Sequence, residues 1–245
     1  MVLSSLPIGE YDKRIVILTK ERGKVSAFAK GSRRPTSSLA GVTIPCSFGT
    51  FTLYEGRTSY TVQAVEITHY FSELRTDLQA ACYAFYFLEF ADYYTKEGND
   101  EREMLRLLYQ TMRALVKRTI MLPLVRYIFE LKAISVEGEG PQVFQCVVCG
   151  SQESPCLFSV KKGGLICDTC GWDVADKRPL DTSTLYAMQY IVSSPIEKLY
   201  TFAVSQKVLE ELGNVVERYL DVYVGKRFRS LEILEEMESQ EMENV

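Results

Sequence analysis

Histidine is almost missing from this chain: among 245 residues His69 is the single one. It lies near the end of a strand-like run with no serine elbow or metal pattern around it. That reads as a surface residue and takes away the side chain most often used as a general base. Neither G-x-x-x-x-G-K-[ST] nor G-x-G-x-x-G occurs, so a phosphate loop or a dinucleotide site has no support. No run approaches the roughly 18 uninterrupted apolar residues that a membrane helix needs. The opening residues reach Glu10 early, with no basic stretch leading into an apolar one, so a secretory signal is not expected. No catalytic residue is assigned, although a two-metal nuclease assembled from scattered carboxylates remains an alternative.

What is present is ordinary in amount and uneven in placement. Hydrophobic residues make up 47% and charged residues 24%, enough for one large domain or two smaller ones. The net charge is -4, yet residues 1–40 carry eight basic side chains (Lys13, Arg14, Lys20, Arg22, Lys24, Lys30, Arg33, Arg34) against three acids (Glu10, Asp12, Glu21), a surplus of five. Residues 230–245 hold six glutamates and no Lys or Arg. The asymmetry points to an anion-binding front end and an acidic tail, which is a solvated terminus or a mask for the basic face.

The first seventy residues read as about five short strands, in residues 2–6, 15–18, 24–30, 48–54 and 58–67, with turns at Gly23 and Gly56. Five strands in a small antiparallel unit fit a compact barrel such as an OB-fold, with an SH3-like barrel open as an alternative. The texture changes near Ser72. Residues 73–97, 101–117 and 122–136 read as helices, and residues 183–192 and 206–224 resume that character. In the first helix Tyr83, Phe85, Tyr86, Phe87, Phe90, Tyr93 and Tyr94 read as bundle core. The expected class is α+β: residues 1–71 as the barrel, residues 72–245 as a mainly helical domain with a zinc finger at 144–172.

The seven cysteines are odd in number and accompany no export signal, which favours a metal over disulfides. Cys146 and Cys149 form one C-x-x-C pair, Cys167 and Cys170 the other, 17 residues later. Each pair places two thiolates on one side of a metal, and the link can fold as a hairpin that returns the second pair. Four protein ligands fill a tetrahedral shell, so one structural zinc ion per chain is expected. Gly150 and Gly171 follow the second cysteine of each pair, where a tight turn is easier without Cβ. Cys156 could compete as a ligand; Cys46 and Cys82 read as small buried apolar residues.

In the strand at 24–30, alternation puts Val25, Ala27 and Ala29 on one face and Lys24, Ser26, Phe28 and Lys30 on the other. An outward aromatic between lysines suits a single-strand platform, where a base stacks while cations meet phosphates. Gly31-Ser32-Arg33-Arg34 extends that charge into the next loop. A solvated strand face is the bland alternative.

These residues resemble the bacterial RecO family of recombination mediators. The likeness is carried by Gly9-Glu10-Tyr11-Asp12, by residues 15–34, by Glu89-Phe90, by Ile128-Phe129-Glu130-Leu131, by Gly140-Pro141, and by the cysteine pairs with Gly163-Gly164-Leu165-Ile166. It implies an N-terminal OB-fold and a larger helical domain holding a zinc finger. It also implies binding of single- and double-stranded DNA, strand annealing, and partnership with RecR and with the tail of the single-strand-binding protein to help load RecA, in the cytoplasm at the bacterial nucleoid. By position Lys30, Arg33 and Arg34 match the family's basic DNA loop; Lys13, Lys24 and Phe28 join them from the face pattern. Family members usually have more residues before the first strand, so a short first strand is expected here. Some lack the four cysteines, so the shared activity does not need the zinc. A zinc-ribbon adaptor that binds only proteins is the competing reading.

Overall fold

The computed structural model describes residues 1–152 and 157–243. Two compact units emerge, one made of Met1–Lys117 with the chain from Phe228 onward, the other of Arg118–Arg227. The architecture is mixed α+β, with the sheet at the N-terminus and helices dominating the rest.

The first unit holds β1 (Val2–Ile8), β2 (Asp12–Thr19), β3 (Gly23–Ala29), β4 (Phe48–Glu55) and β5 (Tyr60–His69) in the order β1-β2-β3-β5-β4. The first strand is therefore seven residues long, not short. Two hairpins join β1–β2 and β2–β3 antiparallel, as turn chemistry at Gly9 and Gly23 dictates. The sheet is not wholly antiparallel, however. The long connection after β3 delivers β4 to the far side, so its hairpin partner β5 lies beside β3 and runs parallel to it at Ala27–Tyr60 and Phe28–Thr61. Nor does it close into a barrel: β1 and β4 share no ladder among the described residues. Val2 N donates to Ser47 O (2.9 Å) and Cys46 N to Val2 O (3.1 Å), two bonds just ahead of β4.

Alternation in β3 is as the sequence expects, with Val25, Ala27 and Ala29 fully buried. Val2, Ile15, Ile17, Ala27, Ala29 and Val62 form the core of this sheet. Each large aliphatic side chain so buried is worth about 2 kcal/mol. Among the described residues three α-helices belong to the same unit. These are α1 (Leu78–Tyr94), α2 (Arg102–Lys117) and, after the excursion into the second unit and α3–α5 described below, α6 (Arg229–Glu243). The start of α1 is later than residue 73 because Asp77 caps it, accepting from Ala80 N at 3.0 Å. Its aromatic stripe divides: Tyr83, Tyr86, Phe87 and Phe90 are buried, whereas Phe85 is 54% exposed and Tyr93 is also exposed. Seven aromatics span more of the helix circumference than one core face can cover. The acidic tail is a helix docked on α1, where Phe228 packs against Tyr86, Phe90 and Tyr93, and Ser230 N donates to Glu89 (2.9 Å).

The second unit contains α3 (Leu122–Val136), α4 (Thr182–Ser193) and α5 (Gln206–Tyr223). Pro123 in the first turn of α3, and the caps Asp181 and Ser205 before α4 and α5, set their starts. Between α3 and α4 lies a small sheet of β6 (Leu157–Ser159), β7 (Gly164–Ile166) and β8 (Arg178–Pro179), ordered β7-β6-β8. No helix among the described residues is long and apolar enough to cross a membrane.

Candidate metal centre and nucleic-acid interface

In the second unit the hairpin β6–β7 brings the two cysteine pairs together. Val147 N donates to Leu165 O (2.9 Å), which straps the first knuckle to β7, and Cys167 directly follows that strand. Both knuckles close alike: Gly150 N donates to Cys146 O and Gly171 N to Cys167 O, each at 2.9 Å. The two glycines serve different ends. Gly150 has φ +73°, a left-handed turn that favours glycine. At Gly171 a Cβ would lie 3.0 Å from Leu157 Cδ1 and 3.2 Å from Cys167 O, so space is what matters.

The Sγ atoms of Cys146, Cys149, Cys167 and Cys170 all lie within 4.8 Å of one another, and Cys149 and Cys167 are 3.8 Å apart. A tetrahedral shell with Zn–S bonds of about 2.3 Å requires S···S separations of about 3.8 Å, so the donor set fits. Burial opposes ionisation of Cys146, but N–H groups of Cys149, Cys167 and Val148 aimed at its sulfur outweigh that and bring it down to about 6. Cys170 is pushed up to about 12 by hydrogen bonding with the Cys167 and Cys149 sulfurs, then by burial. Four crowded thiols cannot all ionise without a cation among them. The cluster can hold a metal ion, and its chemistry is consistent with zinc. Ile166 and Val174 pack beneath it, with Leu157 alongside. Cys156 lies outside the described residues. Cys46 is buried as expected, and burial pushes its thiol up to about 12; Cys82 is only half-buried on α1.

In the first unit, the basic residues expected to meet DNA do not form one continuous face. Lys24 sits at the far end of β3 from Phe28. Its Nζ lies 3.3 Å from Asp92 Oδ1 and donates to the Asp92 carbonyl, which fastens β3 to α1. Lys30, Arg33 and Arg34 lie together in the loop after β3, and this loop is tied to the β1–β2 turn. Gly31 N donates to Asp12 Oδ1 (2.7 Å), Arg33 N to Tyr11 O (2.9 Å) and Arg33 Nη1 to Gly9 O (3.0 Å). The Arg34 guanidinium sits 4.9 Å from the Tyr11 ring centroid. Lys13, half-buried opposite Ala29, has its ammonium pKa lowered by burial and then by the charge of Arg33. Cations crowded this way would be relieved by an anion.

Two contributors were not singled out from sequence. Arg14 stands directly across the ladder from Phe28, and its Nε donates to Ser26 Oγ at 2.9 Å. The register of a hairpin turning at Gly23 contains this pairing. Arg57 reaches the same neighbourhood from the β4–β5 turn, which only the parallel placement of β5 beside β3 brings near. His69 is exposed, with its Nδ1 3.3 Å from the Tyr109 hydroxyl, in keeping with a surface role.

Comparison with known proteins agrees over nearly the whole length. Residues 1–71 match the family model described as Recombination protein O N terminal, and residues 75–232 match Recombination protein O C terminal. A protein of Alkaliphilus metalliredigens named DNA repair protein RecO is 35% identical over 234 residues, 95% of each chain. The protein of that name from Acetivibrio thermocellus is 31% identical over 240 residues, 97% of this chain and 95% of its own. The one from Bacillus subtilis is 27% identical over 239 residues, 98% of this chain and 93% of its own. With the N-terminal sheet, the helical remainder and the cysteine cluster in the expected places, the chain belongs to the RecO family of DNA repair proteins.

Proposed function

We propose that this chain is a DNA-binding mediator of recombinational repair with no reaction of its own. It binds single- and double-stranded DNA, anneals complementary strands and, with RecR, helps load RecA onto DNA covered by the single-strand-binding protein, whose tail it also contacts. The observation that carries the reading is the loop of Lys30, Arg33 and Arg34, held against the β1–β2 turn and following closely in sequence on the half-exposed Phe28, in a chain of this family. A pre-ordered cationic loop meets phosphates at little entropic cost, and an adjacent ring offers a base a stacking surface. Lys13 adds to the loop's potential; Lys24, engaged by Asp92, is left out of the contact set.

In this reading residues 1–71 are an OB-fold whose strand order is that of a five-stranded barrel left open between β1 and β4. Residues 72–245 form the helical domain, with the zinc finger at 144–172. The ion is one structural zinc per chain, held by Cys146, Cys149, Cys167 and Cys170; it fixes the knuckles and takes no part in DNA chemistry. The work is done in the bacterial cytoplasm at the nucleoid.

A strand-annealing assay with labelled complementary oligonucleotides, run with and without single-strand-binding protein across a salt series, tests the reading. Accelerated annealing that declines steeply with salt is expected. Failure to bind oligonucleotides in dilute buffer would sink it, and sustained cleavage of labelled DNA in Mg²⁺ would overturn the non-enzymatic part.

A further inference from the structure

We infer that a groove beside Phe28, and not the basic loop, is what lets this protein distinguish single strands from duplex. The inference rests on the DNA-binding reading above and assigns that site a ligand class: one unpaired nucleotide, its base on Phe28 and its phosphates on Arg14 and Arg57.

The groove has a volume of about 510 Å³ and is lined by Ile8, Arg14, Ser26, Phe28, Arg57 and Tyr60, within the range of about 300–1,000 Å³ usual for small-ligand clefts. The outer face of β3 is tied down at one end, where Lys24 pairs with Asp92 of α1 and the segment just after α1 bridges Gly23 through Glu97; at the other end the half-buried Phe28 lines the groove. Two carboxylates also border the groove. Glu55 is bridged to Arg22 at 3.4 Å, and Glu97 lies close enough to Tyr60 that its charge helps hold the phenol up. Arg14 and Arg57 pair with no carboxylate among the described residues, so they are the charges left for a phosphate. A ring can stack only on a base whose face is free, which a duplex does not offer; phosphates are available in both forms.

The test uses the full, metal-loaded chain and anisotropy titrations with a labelled oligothymidylate and a duplex of equal length, at one salt concentration. In Phe28→Leu the ratio of single-strand to duplex affinity is expected to fall about tenfold. In Arg57→Ala, an exposed turn position that keeps the decision open should Phe28→Leu not fold, it should fall several-fold. Replacing Lys30, Arg33 and Arg34 together by alanine should weaken both forms and hold the ratio. If both groove variants leave the ratio where it was while the loop variant still weakens binding, the inference is overturned and the DNA-binding reading stands. If the unmodified protein binds neither form, both fall.

Discussion

Arg126 and Glu130 are one turn apart on α3, with side chains 6% and 0% exposed and Nε–Oε1 at 2.9 Å. Arg126 also reaches Glu217 on α5 at 3.4 Å, and the Tyr127 hydroxyl donates to the same carboxylate at 3.2 Å. Without Arg126 the Glu130 carboxylate would be left buried and deprived of that cation, whereas without Glu130 the guanidinium keeps Glu217. Arg126→Ala should therefore cost about 3–5 kcal/mol in urea unfolding of the metal-loaded protein, and a loss under about 1 kcal/mol would show that water reaches Glu130. Asp181 behaves differently. Half-buried, it takes a hydrogen bond from Lys207 (2.8 Å) and caps α4 through Ser183 N, and these hold its pKa down to about 2 from 3.8. A depressed carboxylate stabilises the fold above its unfolded value and loses that contribution as pH falls through the folded one. The urea midpoint of Asp181→Ala should lie below that of the parent at neutral pH, and the gap should narrow between pH 3.8 and about 2.

The cysteine knuckles show how an element depends on a single missing atom. Gln142 N donates to Gly163 O and Leu165 N to Gln142 O, both at 2.9 Å, so β7 is clamped from outside its hairpin. A Cβ on Gly164 would sit 2.3 Å from the Gln142 carbonyl oxygen, which is backbone and cannot swing aside. Gly164→Ala should loosen the hairpin that returns Cys167 and Cys170, lowering bound zinc below one per chain by metal analysis. Chelation acts on the same element from the other side, since a structural metal contributes to folding directly. Trp172, the chain's single tryptophan, is two residues past Cys170 and 78% exposed. Its emission should shift when a strong chelator strips the metal and recover when zinc is restored. Of this element, the gathering of four thiols, their spacing and the return hairpin were legible in residues 146–170, because paired cysteines on short knuckles constrain sequence directly. The clamp by Gln142 was not, because nothing local marks that residue as a neighbour of β7.

At the scale of the molecule, charge and connectivity set the expectations. If Lys30, Arg33 and Arg34 each neutralise a phosphate, reversing all three should flatten the slope of log affinity against log salt on single strands by about 2; an unchanged slope would place the DNA elsewhere. The acidic end belongs to the fold of the first unit. Leu234 is fully buried, Phe228 is embedded among α1 aromatics, and Tyr83 hydrogen-bonds with Glu238. Deleting residues from 230 onward should thus destabilise that unit by about 2 kcal/mol or more before any unmasking of DNA affinity could be read.

The sequence by itself determined what short-range physics writes into neighbouring residues. That includes the alternation that buries Val25, Ala27 and Ala29, the caps and periodicity of the helices, the four thiols at ligand spacing, and the motifs of the family. Only the tertiary structure decided which outward residues stay outward. One end of the β3 face was tied to α1, Lys24 went to Asp92, Arg57 was brought round by β5, and α6 returned to pack on α1. Those outcomes depend on which distant surfaces exclude water from one another, and burial between segments scores or hundreds of residues apart leaves no periodic mark in either one.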